Sequence, residues 1–131
     1  MTRATYLDSS AIVKLVVAEP ESQALRTYLR RRRPLVSSAL ARTEVLRALL
    51  PAGEIALSRS REVLRRLDLV RISDRVLDAA GVLEPAQVRS LDAIHLATAQ
   101  LLGDDLGEVI TYDDRMAEAA LSLGLKTASP R

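Results

Sequence analysis

Cysteine, phenylalanine and tryptophan are absent from the 131 residues, and the chain has one histidine and three tyrosines. Without cysteine, neither a disulfide framework nor a thiolate zinc site can form, and a single histidine excludes a histidine-rich metal centre. Long apolar runs are also missing, because Asp8, Lys14 or arginines interrupt them, and no basic segment leads into an apolar stretch at the start. The sequence therefore predicts a cytoplasmic protein with neither a secretory leader nor a membrane span.

Arginine is the residue type in excess. The chain has 19 basic residues, and since Lys14 and Lys126 are the only lysines, 17 of them are arginine. Arginine matches phosphate geometry, so nucleic acid is a reasonable partner class, although so few aromatic rings leave little for base stacking. The dense run Arg30 to Arg33 is explained at least as well by a solvated helix end or loop. The length and apolar content predict one domain over residues 1–131.

The stretch SLDAIHLATA, Ser90 to Ala99, predicts a helix around which the chain is organised. Apolar residues recur with the helical period and small or apolar residues fill much of the other side, so the helix is expected to be buried nearly all round. Ser90 is a good N-cap, and Asp92 then falls in the first turn. Asp92 either helps the helix to start or serves a site, and the helix alone does not decide between these.

Strands alternate with helices along the chain, which predicts an α/β fold: a three-layer α/β/α sandwich with a short central parallel sheet. Pro20, Pro34, Pro51 and Pro85 separate the segments, and Gly124 is the expected C-cap of the last helix. Strands are predicted at 4–7, 35–37, 68–72, 108–112 and 125–128, and helices at 11–18, 21–32, 39–50, 55–67, 74–83, 90–102 and 117–123.

Four acidic residues are predicted to meet at one edge of this sheet. Asp8 and Asp113 each follow a strand, and ligands of open α/β sheets bind beyond the carboxyl ends of the strands. Asp92 begins a helix at the same edge. Glu44 points from a mainly apolar helix face, where a salt bridge with Arg47 is the alternative explanation.

Carboxylates brought together without a partner would repel one another, and a hard divalent cation removes that difficulty. Oxygen ligands without cysteine suit Mg²⁺ or Mn²⁺ rather than zinc. Such an ion can polarise a phosphoryl oxygen and activate water, so the sequence points to metal-assisted phosphodiester cleavage.

Four motifs in order resemble the PIN-domain family, and more closely the VapC toxins of bacterial toxin–antitoxin pairs. They span almost the whole chain: YLDSSAIVKL (Tyr6 to Leu15), RTEVLRAL (Arg42 to Leu49), LDAIHLATA (Leu91 to Ala99) and TYDDRMAEAA (Thr111 to Ala120). The resemblance implies a ribonuclease dependent on Mg²⁺ or Mn²⁺. It also implies an RNA substrate, a homodimer and a small antitoxin protein, VapB, that blocks the site.

The family's acidic quartet is matched here by Asp8, Glu44, Asp92 and Asp113. In that picture Asp8, Asp92 and Asp113 hold metal directly or through water, and Glu44 binds metal through water or helps to activate the nucleophile.

Three further residues match the pocket of such enzymes. Ser9 and Thr111 occupy small polar positions that orient a carboxylate or water, and Asp114 is a possible substitute for Asp113. His95 shares the helix face of Asp92, but a packed histidine with one satisfied nitrogen is the favoured reading. Lys14 and Arg115 could meet phosphate or simply be solvated.

Two rival functions remain open on the sequence. A phosphoacceptor receiver domain also combines a parallel sheet with acids and Mg²⁺, but it would want paired acids after the first strand and an aspartate where Ser73 or Asp74 stands. A catalytically silent module of the same fold, kept for protein or RNA contact, would have little reason to retain all four acids.

Overall fold

The computed structural model describes residues 3–131, in which five parallel strands form one sheet of order β3-β2-β1-β4-β5. Strand β1 is central, with β2 on one side and β4 on the other. Because the chain winds outward in both directions from β1, the carboxyl end of this strand is the position where open α/β sheets bind ligands. The strands are β1 (Ala4–Leu7), β2 (Leu35–Ser38), β3 (Asp68–Val70), β4 (Leu106–Ile110) and β5 (Thr127–Ala128).

The helices lie on both faces of the sheet, which confirms the predicted three-layer α/β/α fold. Alternate strand residues enter different cores: Leu7 packs with Ile12 on the α1–α4 side, whereas Tyr6 packs with Ala99 on the α6 side. A third apolar cluster joins α6 to α7. The helices are α1 (Ser9–Val16), α2 (Ser22–Leu29), α3 (Ala41–Leu49), α4 (Glu54–Arg65), α5 (Asp74–Gly81), α6 (Ser90–Leu101) and α7 (Asp114–Ser122).

Helix α6 begins at Ser90, as predicted, but its N-cap is a different residue from the one expected. Arg89, not Ser90, is the N-cap; its backbone is extended and its carbonyl accepts the Ala93 N–H at 2.8 Å, while no side chain caps the helix. The prediction of burial nearly all round is wrong at the two ends, since Leu91 is 49% exposed and Leu101 is 37% exposed. The covered stripe of α6 packs against α5, the sheet and α7.

Two other helix starts differ from the prediction because aspartates cap them. Asp8, rather than Ser9 or Ser10, is the N-cap of α1, and its side chain accepts the Ala11 N–H. Asp113 caps α7, so that helix starts three residues before the predicted Ala117. Both carboxylates are therefore fixed at the junction of a strand end and a helix start.

The basic run after α2 is exposed, as the solvated-helix-end interpretation predicted. One of its members has internal partners: the Arg32 guanidinium lies 3.6 Å from the centre of the Tyr28 ring and 3.3 Å from a Glu108 carboxylate oxygen. No helix in the described part of the chain is both long enough and apolar enough to cross a membrane.

Candidate active site

Asp8 lies at the carboxyl end of β1 and is 4% exposed. Its Oδ1 accepts hydrogen bonds from Ser10 Oγ at 2.6 Å and Ala11 N at 3.0 Å, and its Oδ2 accepts one from Thr111 Oγ1 at 2.5 Å. Burial nevertheless raises the pKa of the Asp8 carboxyl above its ordinary value, although both hydroxyls act against it. The folded protein thus holds a carboxylate where ionisation is unfavourable.

Ser10 and Thr111 connect this carboxylate to the segment after β4. The Ser10 hydroxyl accepts the Tyr112 N–H at 2.9 Å, and the Thr111 hydroxyl accepts the Asp113 N–H at 3.1 Å. Thr111 was expected in the pocket, whereas Ser10 was not among the residues expected there. The signal that could have found Ser10 is its spacing, two residues after a strand-end aspartate, which allows a local side-chain hydrogen bond.

Glu44 projects from α3 toward α1 and α6. Its Oε1 accepts a hydrogen bond from Ser9 Oγ at 2.5 Å and lies 2.6 Å from His95 Nε2. Burial would raise the pKa of Glu44, but the hydrogen bonds from His95 and Ser9 outweigh it and hold this pKa below its ordinary value. The alternative salt bridge with Arg47 does not form between these described residues.

His95 is 2% exposed and uses both ring nitrogens, whereas the sequence favoured a packed ring with one satisfied nitrogen. Besides the contact with Glu44, its Nδ1 lies 2.7 Å from the Tyr6 hydroxyl. The two rings meet edge to face, with their centres 5.8 Å apart. His95 therefore joins the strand before Asp8 to the carboxylate of Glu44.

Asp92, in the first turn of α6, is half-buried and feels the other acids. Burial raises the pKa of its carboxyl, and the negative charges of Asp113, Asp8 and Glu44 act in the same direction. Asp92 is thus close enough to the other three expected acids for their charges to act on it. This combined effect on Asp92 distinguishes this edge of the sheet.

Asp113 and Asp114 are both exposed, but they differ in position. Asp113 Oδ1 accepts hydrogen bonds from the N–H groups of Arg115 at 2.9 Å and Met116 at 3.4 Å. The charge of Asp113, unlike that of Asp114, is among those that raise the pKa of Asp92. Asp114 is already the first residue of α7. The geometry therefore brings Asp113 rather than Asp114 to the acidic cluster.

The donor set fits a hard divalent cation in its chemistry: carboxylate oxygens that repel one another, one of them deeply buried. Across residues 3–131, however, no three acidic or histidine side chains are arranged to hold a metal ion as they stand. Among the same residues, both oxygens of Asp8 accept hydrogen bonds from protein donors, and Asp113 Oδ1 accepts from the backbone of α7.

A groove of about 370 Å³ opens beside Asp92, between the start of α6 and α7. Arg89 and Arg115 line it, and both side chains are exposed. Lys14, the other residue considered for phosphate contact, is instead paired with Glu19 at 3.3 Å and Glu21 at 2.9 Å. Arg115 thus lies beside the acids with its charge accessible, and Lys14 does not offer a free charge.

The positions required of a receiver domain are elsewhere. Strand β3 is at the edge of the sheet, Ser73 accepts the Val76 N–H as the N-cap of α5, and Asp74 is exposed. Ser73 and Asp74 therefore follow an edge strand and do not stand at the end of a central strand, where a receiver domain needs its phosphoacceptor.

Comparisons with known proteins agree with this arrangement. A family model described as PIN domain matches residues 5–121. Ribonuclease VapC46 of Mycobacterium tuberculosis is 64% identical over 127 residues, covering 97% of this chain and 98% of that protein. Ribonuclease VapC47 of the same species is 37% identical over 130 residues, covering 95% and 96%.

Two solved structures share the fold. A toxin–antitoxin complex from Klebsiella pneumoniae contains a chain with a TM-score of 0.74 and 20% identity, covering 97% of this chain and 98% of that one. VapC20 of Mycobacterium tuberculosis, a toxin that cleaves the sarcin-ricin loop, gives a TM-score of 0.77 at 12% identity, covering 96% and 99%. The family resemblance inferred from the four motifs is confirmed. The chain belongs to the PIN-domain family and, within it, to the VapC proteins.

Proposed function

We propose that this protein is a divalent-metal-dependent endoribonuclease, the toxin of a VapBC-type pair, acting in the cytoplasm as one nuclease domain. The observation that carries the proposal is the position of Asp92, close enough to Asp8, Glu44 and Asp113 on three other elements for their negative charges to raise its pKa. The functional names of the relatives agree with it, since VapC46 and VapC47 are both ribonucleases.

In this proposal Asp8, Asp92 and Asp113 hold Mg²⁺ or Mn²⁺. When bound, the cation would polarise a phosphoryl oxygen and lower the pKa of a water molecule. Glu44 orients that water through the carboxylate oxygen that neither Ser9 nor His95 uses. Asp114 can replace Asp113 only if the start of α7 shifts.

Ser9 and Thr111 act on the carboxylates rather than on RNA. The Ser9 hydroxyl donates to Glu44 and the Thr111 hydroxyl donates to Asp8, so each fixes the orientation of one acid. Ser10 does the same for Asp8 from the other side. Fixed orientation matters because a displacement of about 1 Å at such a site can reduce the rate about 100-fold.

RNA would enter through the groove beside Asp92. Arg89 and Arg115 are placed there to bind phosphates on either side of the cleaved bond, while the scarcity of aromatic residues favours recognition through the backbone and the shape of the RNA.

The antitoxin surface that we propose is the groove between α3 and α4. Two adjoining grooves of about 420 and 320 Å³ are floored by leucines and bordered by arginines. An acidic amphipathic segment of a partner would place its apolar side on the leucines and its carboxylates on the arginines. The leucines are Leu46, Leu50, Leu57 and Leu64, and the arginines are Arg42, Arg47, Arg61 and Arg65.

A second copy of the chain would use a different face, near α5. Leu77 is 46% exposed and Val82 is 80% exposed there, and both line a groove of about 480 Å³ between α5 and α6. Apolar side chains grouped in this way favour association. A Val82→Asp variant is expected to shift the protein from dimer to monomer in light scattering. An unchanged dimer mass would show that the interface does not include this face.

The decisive experiment is cleavage of a mixed RNA pool by purified protein with Mg²⁺ or Mn²⁺, with EDTA and Asp8→Asn as the negative arms. Asp105→Asn is the matched control, because Asp105 is exposed in the turn that precedes β4, at the other end of that strand. We expect cuts that disappear in both negative arms and persist in the control. Cleavage that survives Asp8→Asn would refute the assignment, and RNA binding without cleavage would support the silent module instead.

A further inference from the structure

His95 is the one histidine of the chain, and it is held by polar contacts in a buried position. The roles assigned to the acids do not use it. Its ring nitrogens bridge residues far apart in sequence, Tyr6 on β1 and Glu44 on α3. A buried imidazole needs a hydrogen-bond partner at each ring nitrogen, and here the two partners lie on the strand that precedes Asp8 and on the side chain of Glu44.

The direction of each hydrogen bond follows from the partners. Glu44 has a lowered pKa and is ionised at neutral pH, so it can only accept, and the proton between it and His95 must be on Nε2. The Tyr6 hydroxyl keeps its proton at neutral pH, since the ordinary pKa of a phenol is about 10.

The Tyr6 hydroxyl forms its short side-chain hydrogen bond with His95 Nδ1, at 2.7 Å. The hydroxyls of Ser37 and Thr98 also lie near, and they donate to the backbone carbonyls of Leu7 and Ile94. Tyr6 can therefore donate to Nδ1 of the neutral imidazole. A hydrogen bond at one ring nitrogen determines which tautomer is present at the other.

We propose that Tyr6 and His95 form a positioning relay in which the Tyr6 hydroxyl donates to Nδ1 and the Nε2–H group donates to Glu44, fixing the carboxylate that orients the attacking water. The inference rests on the proposed function. His95 and Ser9 both hold Oε1 of Glu44, and in the described part of the chain no protein donor is bonded to its other oxygen, Oε2. Oε2 is thereby left for water in the acidic cluster.

The relay couples two acids to one strand. Tyr6 precedes Asp8 by two residues on β1, so the strand places Asp8 directly and Glu44 through the histidine. His95 is also three residues after Asp92 on α6, which puts both on one helix face. His95 is a positioning residue in this scheme, since it touches Glu44 and not the substrate.

Nuclear magnetic resonance tests the first half without any metal or RNA. With a single histidine, the imidazole signals of ¹⁵N-labelled protein need no assignment by mutagenesis. At neutral pH we expect one ring nitrogen protonated, Nε2, and the other bare. In Tyr6→Phe we expect the Nδ1 signal to shift and the tautomer preference to weaken. A proton on Nδ1, or a spectrum that Tyr6→Phe leaves unchanged, would overturn the relay.

The kinetics of RNA cleavage test the second half of the relay, in which His95 donates to Glu44. His95→Gln can keep an N–H donor for Glu44, whereas His95→Leu fills similar space without one. We expect His95→Leu to lower kcat about 100-fold with little change in KM, because loss of orientation acts on the chemical step. We expect His95→Gln to recover most of that loss, and Tyr6→Phe to cost about fivefold, the effect of one neutral hydrogen bond.

Ser60→Ala is the matched control, since Ser60 is fully buried in α4 and its hydroxyl donates only to the Ala56 carbonyl. Equal rates for His95→Gln and His95→Leu would refute the positioning role. If His95→Leu does not fold, the spectra of the wild type and of Tyr6→Phe still show whether the His95 tautomer is the one that the relay requires. Metal-independent cleavage would refute the proposed function without touching the tautomer result, so the two failures are distinguishable.

Discussion

Replacing Thr111 with valine tests how much the protein depends on hydrogen bonds to a buried carboxylate. Thr111 is 0% exposed, and valine has nearly the same shape, so packing is preserved while the hydroxyl is lost. Three hydrogen-bond contacts disappear: the one donated to Asp8 at 2.5 Å, the one accepted from the Asp113 N–H at 3.1 Å, and a longer one with the Ser10 hydroxyl at 3.4 Å. The substitution therefore removes a shared support of two acids without opening a cavity.

The size of the effect follows from the nature of each bond. A hydrogen bond to a charged group contributes about 1.5–3 kcal/mol, and here the acceptor is buried, so water does not replace the donor. The Asp113 N–H is near the surface and can bind water, so its loss adds little. We expect the free energy of unfolding to fall by about 2 kcal/mol, which at this chain length lowers Tm by roughly 8 °C.

The loss should depend on pH. The Thr111 hydroxyl lowers the pKa of Asp8 against the larger effect of burial, so valine raises this pKa further in the folded state. A folded-state pKa above the unfolded value favours folding when the group is protonated and opposes it when ionised. The deficit of the variant should be full at pH 7.5 and should shrink as the pH falls toward about 4, the ordinary aspartate value.

The assay is thermal unfolding in EDTA at several pH values, with Thr98→Val as the control. Thr98 is 1% exposed, but its hydroxyl donates to the Ile94 carbonyl within the helix, a neutral acceptor. We expect a smaller loss there, about 1 kcal/mol, without pH dependence. Equal losses for the two variants, or a Thr111→Val deficit that does not change with pH, would refute the argument about the carboxylate.

Three further outcomes are expected. Asp8→Asn should abolish cleavage. In EDTA at neutral pH it should also raise the free energy of unfolding by about 1 kcal/mol, because burial opposes ionisation of the Asp8 carboxyl. This gain in stability should disappear below pH 4, where the carboxyl of the wild type is protonated. In that inactive background, Arg115→Ala should weaken RNA binding and reduce the salt slope by about 0.7, unlike the remote Arg59→Ala. Gly107→Ala should lower the free energy of unfolding by about 1–3 kcal/mol in denaturant titrations, since its Cβ would lie 3.1 Å from a β1 carbonyl oxygen, whereas Gly81→Ala meets nothing.

The acids could be predicted from sequence because local rules place each of them. Asp8 and Asp113 follow strands and precede helices, and Asp92 lies in a first helical turn, so topology alone brings them to one edge. Glu44 was identified by its apolar surroundings on the helix. None of these inferences required a long-range side-chain contact to be known.

The supports of the acids could not be predicted in the same way. His95 lies within the apolar period of α6, and its partners are 89 and 51 residues away in sequence. The helical period correctly predicts that His95 is buried, but it does not predict which residues its ring nitrogens contact. Lys14 shows the converse, because the glutamates that neutralise it, Glu19 and Glu21, lie on either side of Pro20 in a turn whose geometry the sequence does not specify.

The arrangement of Tyr6, Asp8, Asp92 and His95 explains why two short stretches carry so much of the site. Residues two apart at the end of a strand and three apart at the start of a helix each put two functional groups on one side of an element. Strand β1 and helix α6 lie against each other through the Tyr6–His95 contact, so their four groups share one rigid frame. Glu44 comes from outside that frame, and the side chains that fix it, Ser9 and His95, are the ones whose loss should affect the chemistry without displacing the other acids.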